Sequence, residues 1–121
     1  MQYVLLIYRD EKVDQQRDEA GMQELMQSYF AFTEEITQSG HISSGIALQD
    51  TDTATTVAVR DGETVASDGP FAETKEQLGG LYVINADNLD DAIKIAAKIP
   101  HASNGAIEVR PVIEMPEMPQ S

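Results

Sequence analysis

Two short segments of the chain, residues 2–8 and 79–86, carry apolar side chains at successive positions. They read Gln-Tyr-Val-Leu-Leu-Ile-Tyr and Gly-Gly-Leu-Tyr-Val-Ile-Asn-Ala, and they are rich in the β-branched and aromatic residues that favour strands. Because successive side chains of a strand point to opposite faces, such a run predicts a strand that is buried on both sides. A fold that contains these two strands must therefore cover both faces of its sheet.

One long and one short amphipathic helix are expected beside these strands. Apolar residues at three- and four-residue spacing predict a helix from about residue 15 to residue 39, which ends at Gly40. A second helix begins after the capping residue Asn88 and stops at Pro100. The apolar faces are Met22, Leu25, Met26, Tyr29, Phe32, Thr33 and Ile36 in the first helix, and Leu89, Ala92, Ile93, Ala96 and Ile99 in the second.

Four further segments favour strands, and a hairpin turn is expected at Asp61-Gly62 between two of them. The polar residues 9–18 are expected to form a loop. The resulting order of strands and helices predicts an α+β fold with a ferredoxin-like βαββαβ-type antiparallel sheet and two helices on one face. The four segments are residues 41–48, 55–60, 63–67 and 106–112.

The length of 121 residues predicts a single domain, which we place at residues 1–113, followed by an irregular tail at residues 114–121. Eight Lys and Arg residues against 21 Asp and Glu residues give a net charge of -13, which repels nucleic acid and anionic membrane surfaces. Neither is expected as a partner. The chain has no cysteine, no secretory signal pattern and no apolar run long enough to cross a bilayer, so a cytoplasmic location is expected.

The two doubly apolar strands also predict self-association. Two helices can cover only one face of the sheet, yet residues 3–8 and 81–84 are apolar on both faces. Soluble monomers rarely expose a continuous apolar patch of this size, and most homo-oligomers are twofold dimers. We therefore expect a homodimer that packs sheet to sheet.

A distinctive motif follows the central strands. Residues 68–80 read Asp-Gly-Pro-Phe-Ala-Glu-Thr-Lys-Glu-Gln-Leu-Gly-Gly. This motif, with residues 3–8, 45–48 and 105–112, resembles the DGPF subgroup of the YCII-related proteins. The resemblance implies the dimeric α/β-barrel arrangement, in which two ferredoxin-like sheets face one another. Most of that family has no established activity, although a relative in the wider group resembles a dehydrochlorinating lyase. Members of the subgroup are often encoded beside extracytoplasmic-function sigma factors.

The resemblance further implies an acid/base pair made of a histidine on the first helix and an aspartate near the sheet. Residues 15–39 contain no histidine, so only the aspartate role carries over, onto Asp68. An aspartate before Gly-Pro is equally explained as a turn residue that bonds its own backbone, and both interpretations remain open. A guanidinium or ammonium group near Asp68 would hold an anionic group of a ligand. The expected catalytic residues are Asp68, Arg110 and Lys75, and the expected substrate-binding residues are Phe71, Glu73, Tyr82 and Glu108.

Two functions fit these residues. The first is an enzyme of lyase or isomerase type, or a binding protein, that holds a small anionic or phenolic ligand between the first helix and the sheet. The second is a non-catalytic accessory or regulatory protein linked to an extracytoplasmic-function sigma factor. His41 and His101 lack the spacing of a metal site and the glycines lack that of a phosphate loop, so no metal and no cofactor are expected.

Overall fold

The structure is a computed structural model that describes residues 1–115. It contains one four-stranded antiparallel sheet, one separate two-stranded hairpin and three α-helices. The strands are β1 (Gln2–Arg9), β2 (Ile42–Ala47), β3 (Thr55–Arg60), β4 (Glu63–Asp68), β5 (Gln77–Asn85) and β6 (Ala106–Pro111), and the helices are α1 (Glu11–Gln15), α2 (Glu19–Gln38) and α3 (Leu89–Ala96).

The strand order in the main sheet is β2-β5-β1-β6, and every neighbouring pair is antiparallel. The two doubly apolar strands, β1 and β5, occupy the centre, where a strand needs apolar side chains on both faces. The predicted α+β, ferredoxin-like arrangement is confirmed. The β3–β4 hairpin is an addition between β2 and β5, and among residues 1–115 its strands pair only with each other.

Local hydrogen bonds explain where the helices begin. The carboxylate of Asp18 accepts a 2.7 Å hydrogen bond from the backbone nitrogen of Gly21, and it thereby caps α2. Asn88 caps α3 in the same way, as its position in the sequence predicts. The expectation of a loop at residues 9–18 is wrong in part, because Asp10 accepts a hydrogen bond from the nitrogen of Lys12 and starts the single turn of α1.

The core lies between the helices and one face of the sheet. Leu5 of β1 and Ile84 of β5 are fully buried there, and they pack in one cluster with the buried Phe32 and Ile36 of α2. The aromatic rings of Phe32 and Tyr82 pack edge to face with centroids 5.2 Å apart. The apolar faces predicted for the helices are wider than the buried ones, because four of their twelve members, Met22, Met26, Leu89 and Ile93, are between 41% and 53% exposed.

The opposite face of the main sheet carries a second set of apolar side chains. In the central strands these are Val4, Leu6, Tyr8, Leu81 and Val83, all of them partly exposed. Buried and partly exposed side chains alternate along β1 and β5. The buried ones point toward the helices, and these five point to the other face of the sheet. This set is called the open face below.

Two expectations concern the chain as a whole. The predicted irregular tail at residues 114–121 falls largely on residues 116–121, which lie outside the described residues.

Across residues 1–115, no helix has the length and apolar composition that a membrane span requires.

Candidate functional site

His101 is one of two buried polar or charged residues in the described chain, with 5% of its surface exposed. It lies in a 3-10 turn, Pro100–Ser103, that follows the buried Ile99 at the end of the α3 segment. The backbone nitrogen of Gly105 donates a 2.7 Å hydrogen bond to the carbonyl of His101. A Cβ atom at Gly105 would collide with the carbonyl oxygen of Tyr8, so glycine allows this turn to lie against the end of β1.

Both nitrogens of the His101 ring have partners. Nε2 lies 3.0 Å from Oδ2 of Asp14, a residue of α1. Nδ1 contacts the hydroxyl of Tyr29, a residue of α2, and the two rings are tilted with centroids 5.5 Å apart. The three side chains therefore form a continuous hydrogen-bonded chain, Asp14–His101–Tyr29, which we call the relay.

Two arginines hold the carboxylate of Asp14 in place. Nε of Arg17 lies 3.0 Å from Oδ1, and a terminal nitrogen of Arg9 lies 3.3 Å from Oδ2. Burial by itself would raise the pKa of Asp14. The hydrogen bond from Arg17, with the charges and hydrogen bonds of His101 and Arg9, outweighs this effect and lowers the pKa below its ordinary value. Asp14 is therefore an anion at neutral pH.

The other two members of the relay are uncharged at neutral pH. Burial lowers the pKa of His101 below its ordinary value, and the neighbouring carboxylate of Asp14 only partly offsets this effect. Burial raises the pKa of the Tyr29 phenol. A carboxylate can only accept hydrogen bonds, so the single N–H of the neutral imidazole is on Nε2 and points to Asp14. Nδ1 is then the acceptor for the hydroxyl proton of Tyr29.

The relay ends at a pocket of about 360 Å³ between α2 and the main sheet. Tyr29 and His101 both line it, as does a hydroxyl pair in which Thr33 Oγ1 and Tyr82 Oη lie 2.8 Å apart. Tyr29 and Thr33 are one helical turn apart, so they project from the same face of α2. Apolar walls are provided by Ile7, Phe30, Ile42, Ala47 and Leu48.

Two glycines leave room for polar groups of the pocket. A Cβ atom at Gly79 would collide with the side chain of Arg9, whose guanidinium occupies that space. A Cβ atom at Gly45 would lie 2.7 Å from the ring of Tyr82. Both glycines therefore serve close packing and not a turn. A larger surface groove of about 490 Å³ beside α2 is lined by none of the three relay residues.

The loop between β2 and β3 is fastened to α1 beside this pocket. Glu11, 8% exposed, accepts hydrogen bonds of 2.8 Å from both the backbone nitrogen and the hydroxyl of Thr51. Asp50 accepts hydrogen bonds from Gln15 and Arg9, which lower the pKa of its carboxyl. Arg9 therefore joins the relay to this loop.

The sequence profile of the YCII-related domain matches residues 1–116. The chain belongs to the YCII-related family. An uncharacterized protein of Rhizobium meliloti (strain 1021) is similar to it, with 37% identity over 114 residues that make up 93% of this chain and 92% of that protein.

Of the site residues predicted from the sequence of this YCII-related protein, Tyr82 lies in the pocket. Asp68 lies at the exposed end of β4, next to Gly69, whose φ is 96° and whose nitrogen donates a 2.7 Å hydrogen bond to the carbonyl of Ala54. Phe71 is 81% exposed. Glu73 and Lys75 are exposed in the connection between β4 and β5.

The predicted pair on the last strand lies elsewhere. Nε of Arg110 and a carboxylate oxygen of Glu108 are 2.6 Å apart, and both side chains are well exposed. Their partners in β1 are Val4 and Leu6, so the pair lies on the open face, opposite the pocket. The structure therefore does not bring Arg110 and Glu108 together with Tyr82.

Four polar residues of the site were not predicted: Asp14, His101, Tyr29 and Arg9. Asp14 fell in a segment expected to be a loop, and Tyr29 was placed among apolar core residues because of its spacing. The one available signal was the position of His101 directly after Pro100, because a proline is favoured at the first position of a helical turn and so predicts that His101 lies in a turn. In the described part of the chain, no group of three or more His, Asp or Glu side chains is arranged to hold a metal ion.

Proposed function

We propose that this YCII-related protein is a proton-transfer enzyme, of the isomerase or lyase type, acting on a small molecule in the pocket between α2 and the sheet. The observation that carries this function is the relay, Asp14–His101–Tyr29, which ends at the pocket. An anion, an imidazole and a hydroxyl in this order form the arrangement by which a buried carboxylate orients a histidine base toward a hydroxyl group.

In the proposed step, a C–H bond of the substrate breaks and its proton moves to the oxygen of Tyr29. The phenol proton of Tyr29 moves at the same time to Nδ1 of His101, so the tyrosine stays neutral. This agrees with the raised pKa of Tyr29, which disfavours a free phenolate. The positive charge that forms on His101 faces the carboxylate of Asp14 at 3.0 Å.

The electron pair of the broken bond stays on the substrate as an enolate. The hydroxyl pair Thr33–Tyr82 can donate a hydrogen bond to the enolate oxygen, since either hydroxyl is able to act as donor. Return of the proton from Tyr29 to another carbon gives an isomer. Departure of a leaving group from the neighbouring carbon with its electron pair gives the product of a lyase.

In this proposal the aspartate of the site is Asp14 and not Asp68, and it acts by orienting and stabilising His101. Asp14 is largely buried, is bonded to a histidine and has a lowered pKa, whereas Asp68 is exposed and its side chain has no hydrogen-bonded or ionic partner within residues 1–115. Asp68 fits the turn interpretation that its sequence also allows.

Deuterium exchange tests this function without knowledge of the natural substrate. Small ketones and substituted phenols would be incubated in deuterated buffer, and loss of the proton signals would be followed by NMR. We expect wild type to accelerate exchange for at least one compound and Tyr29→Phe to lose this effect. Exchange that is equally fast with Tyr29→Phe contradicts the role of the relay.

A protein-binding function is the second candidate, and the β3–β4 hairpin favours it. Every residue of β4 is exposed, and Val57 and Val59 on β3 are 63% and 62% exposed. Isolated two-stranded hairpins are only marginally stable in water, so this hairpin would gain from a partner. A wild type that catalyses no exchange in the whole compound panel favours this candidate over the enzyme.

We also propose that the open face is covered by a second copy of the chain. Its support is the row of partly exposed apolar side chains in the two central strands, among them Leu6 and Leu81. A sheet-to-sheet dimer would remove this row from water in both copies.

A further inference from the structure

The charges around the pocket are already balanced within the protein. Among the described residues, Arg9 is the only cation that lines the pocket, and no carboxylate lines it. The guanidinium of Arg9 bonds Asp14 at 3.3 Å and Asp50 at 3.0 Å, so two anions surround this single cation. A bound anion would have to compete with both of them for Arg9, and a bound cation would find no acidic partner.

The net charge of the whole chain also opposes the binding of anions. With a net charge of -13, the protein repels a negatively charged ligand along its approach to any site. The pocket also removes a ligand from water, because its walls are mainly apolar. Transfer of an unpaired charge into such surroundings costs far more than transfer of a neutral molecule.

The polar groups that remain available in the pocket are hydroxyls. Tyr29 lies on one turn of α2, Thr33 lies on the next turn, and Tyr82 faces them from β5. A hydroxyl both donates and accepts hydrogen bonds, and it therefore matches a carbonyl or hydroxyl oxygen without any charge. The volume of about 360 Å³ is near the lower limit of small-molecule pockets, which suits a ligand with one ring.

We infer that the substrate is an uncharged, ring-sized molecule with an apolar body and one carbonyl or hydroxyl oxygen, bound by the hydroxyls of Tyr29, Thr33 and Tyr82. This substrate class rests on the proposed function, because it uses the same pocket and the same tyrosine. It excludes the anionic ligand that the sequence also allowed.

Four compounds of one size test this inference: acetophenone, ethylbenzene, benzoate and benzylamine. All four contain one benzene ring. Acetophenone adds an uncharged oxygen, ethylbenzene no polar group, benzoate an anion and benzylamine a cation. Dissociation constants would be measured at pH 7.5 by NMR titration of the ¹⁵N-labelled protein. We expect acetophenone to bind about tenfold more tightly than either charged compound, since the pocket has no free opposite charge for them.

Variants show whether binding takes place in the pocket. Ala47→Phe places a ring among the apolar walls and should abolish binding of acetophenone. The double variant Thr33→Val with Tyr82→Phe keeps the shape but removes two hydroxyls, and it should reduce the advantage of acetophenone over ethylbenzene. Ala66→Phe, on the exposed β4 strand, is the control for adding a ring elsewhere.

Tighter binding of benzoate or benzylamine than of acetophenone overturns the inference. The inference is also overturned if benzoate binding is lost in Arg9→Gln and retained in Arg110→Gln, because Arg9 would then bind the anion. Failure of all four compounds at their solubility limits also overturns it. The proposed function fails separately: selective binding of acetophenone with no catalysed exchange would retain the ligand class and reject the enzyme.

Discussion

Nε2 of His101 lies 3.0 Å from Oδ2 of Asp14, although 87 positions separate the two residues in the sequence. The topology of the sheet explains this contact. Asp14 follows the end of β1, His101 precedes the start of β6, and these two strands are antiparallel neighbours. The last residues of β1 therefore lie beside the first residues of β6 at one end of the sheet, which places both side chains beside the pocket.

The relay predicts a large loss of proton-transfer activity in Tyr29→Phe. This variant keeps the ring but removes the hydroxyl that contacts Nδ1 of His101. We expect the rate of catalysed deuterium exchange to fall by about 100-fold or more, a usual size for loss of an acid/base group. The affinity for a ligand should fall by a much smaller factor than the exchange rate. Tyr3→Phe, which alters a tyrosine of the core outside the pocket, is the control, and an equal loss of activity in it would contradict the assignment.

Asp14→Asn should reduce activity while it keeps the shape of the side chain. The amide cannot supply the negative charge that stabilises protonated His101, and it leaves Arg9 and Arg17 facing a neutral group. We expect at least about a 100-fold lower exchange rate, in the range found for acid/base groups. The exposed Asp52→Asn removes the same charge and should retain full activity.

Stability should depend on pH through His101. The pKa of this residue is lowered in the folded protein, so the unfolded chain binds a proton more readily as the pH falls below about 6.5. The free energy of unfolding should therefore decrease from about pH 6.5 down to the folded-state pKa, with a slope of at most about 1.4 kcal/mol per pH unit from this residue.

Urea denaturation at several pH values measures this effect. His101→Gln cannot titrate, and its stability should show a smaller decrease over the same pH range than that of wild type. His41→Gln alters the other histidine of the chain and serves as the comparison. A wild-type curve that runs parallel to the His101→Gln curve would show that His101 does not titrate differently on folding. The lowered pKa of Asp14 also favours folding, but that contribution is lost only at lower pH.

Gly79→Ala should damage the site through Arg9. The added Cβ atom would collide with the Arg9 side chain and displace the guanidinium from its carboxylate partners. We expect the free energy of unfolding to fall by about 1–3 kcal/mol, as for other overpacked positions, and the exchange rate to fall as well. In the double variant Gly79→Ala with Arg9→Ala the collision is absent. If steric contact is the cause, this double variant should be as stable as Arg9→Ala alone.

The open face predicts that a charged substitution will prevent dimer formation. Leu6→Lys places an ammonium group in the centre of the apolar row. Light scattering after gel filtration should give twice the 13.2 kDa chain mass for wild type and a single chain mass for the variant. Glu108→Lys lies beside it at the exposed edge strand and should weaken the dimer less. A monomeric wild type at micromolar concentration would contradict the proposal.

The sequence predicts the elements of this fold because each has a local cause. The unbroken apolar runs of residues 2–8 and 79–86 give the central strands β1 and β5, and Asn88 gives the start of α3. The short helix α1 was missed because its stability depends on one capping contact of Asp10 and on tertiary hydrogen bonds such as the one that the backbone nitrogen of Thr51 donates to Glu11.

The relay could not be predicted in the same way. Its three residues lie in separate elements that meet only after the sheet has formed, and no spacing in the sequence records this contact. Tyr29 has the spacing of a core residue, and only the structure shows that its hydroxyl reaches His101. Tyr82, expected to bind substrate, does line the pocket, whereas Asp68 belongs to a motif whose conformation follows from its own Gly-Pro sequence.

The separate pairing of the β3–β4 hairpin has a consequence for divergence among relatives. Its turn at Asp61 and Gly62 has positive φ angles of 52° and 78°, and within residues 1–115 its ladder is not continuous with the main sheet. Insertions, deletions or substitutions in this arm therefore leave the hydrogen bonds that position the pocket intact. The arm can therefore differ in length and sequence between relatives while the main sheet keeps its strand order.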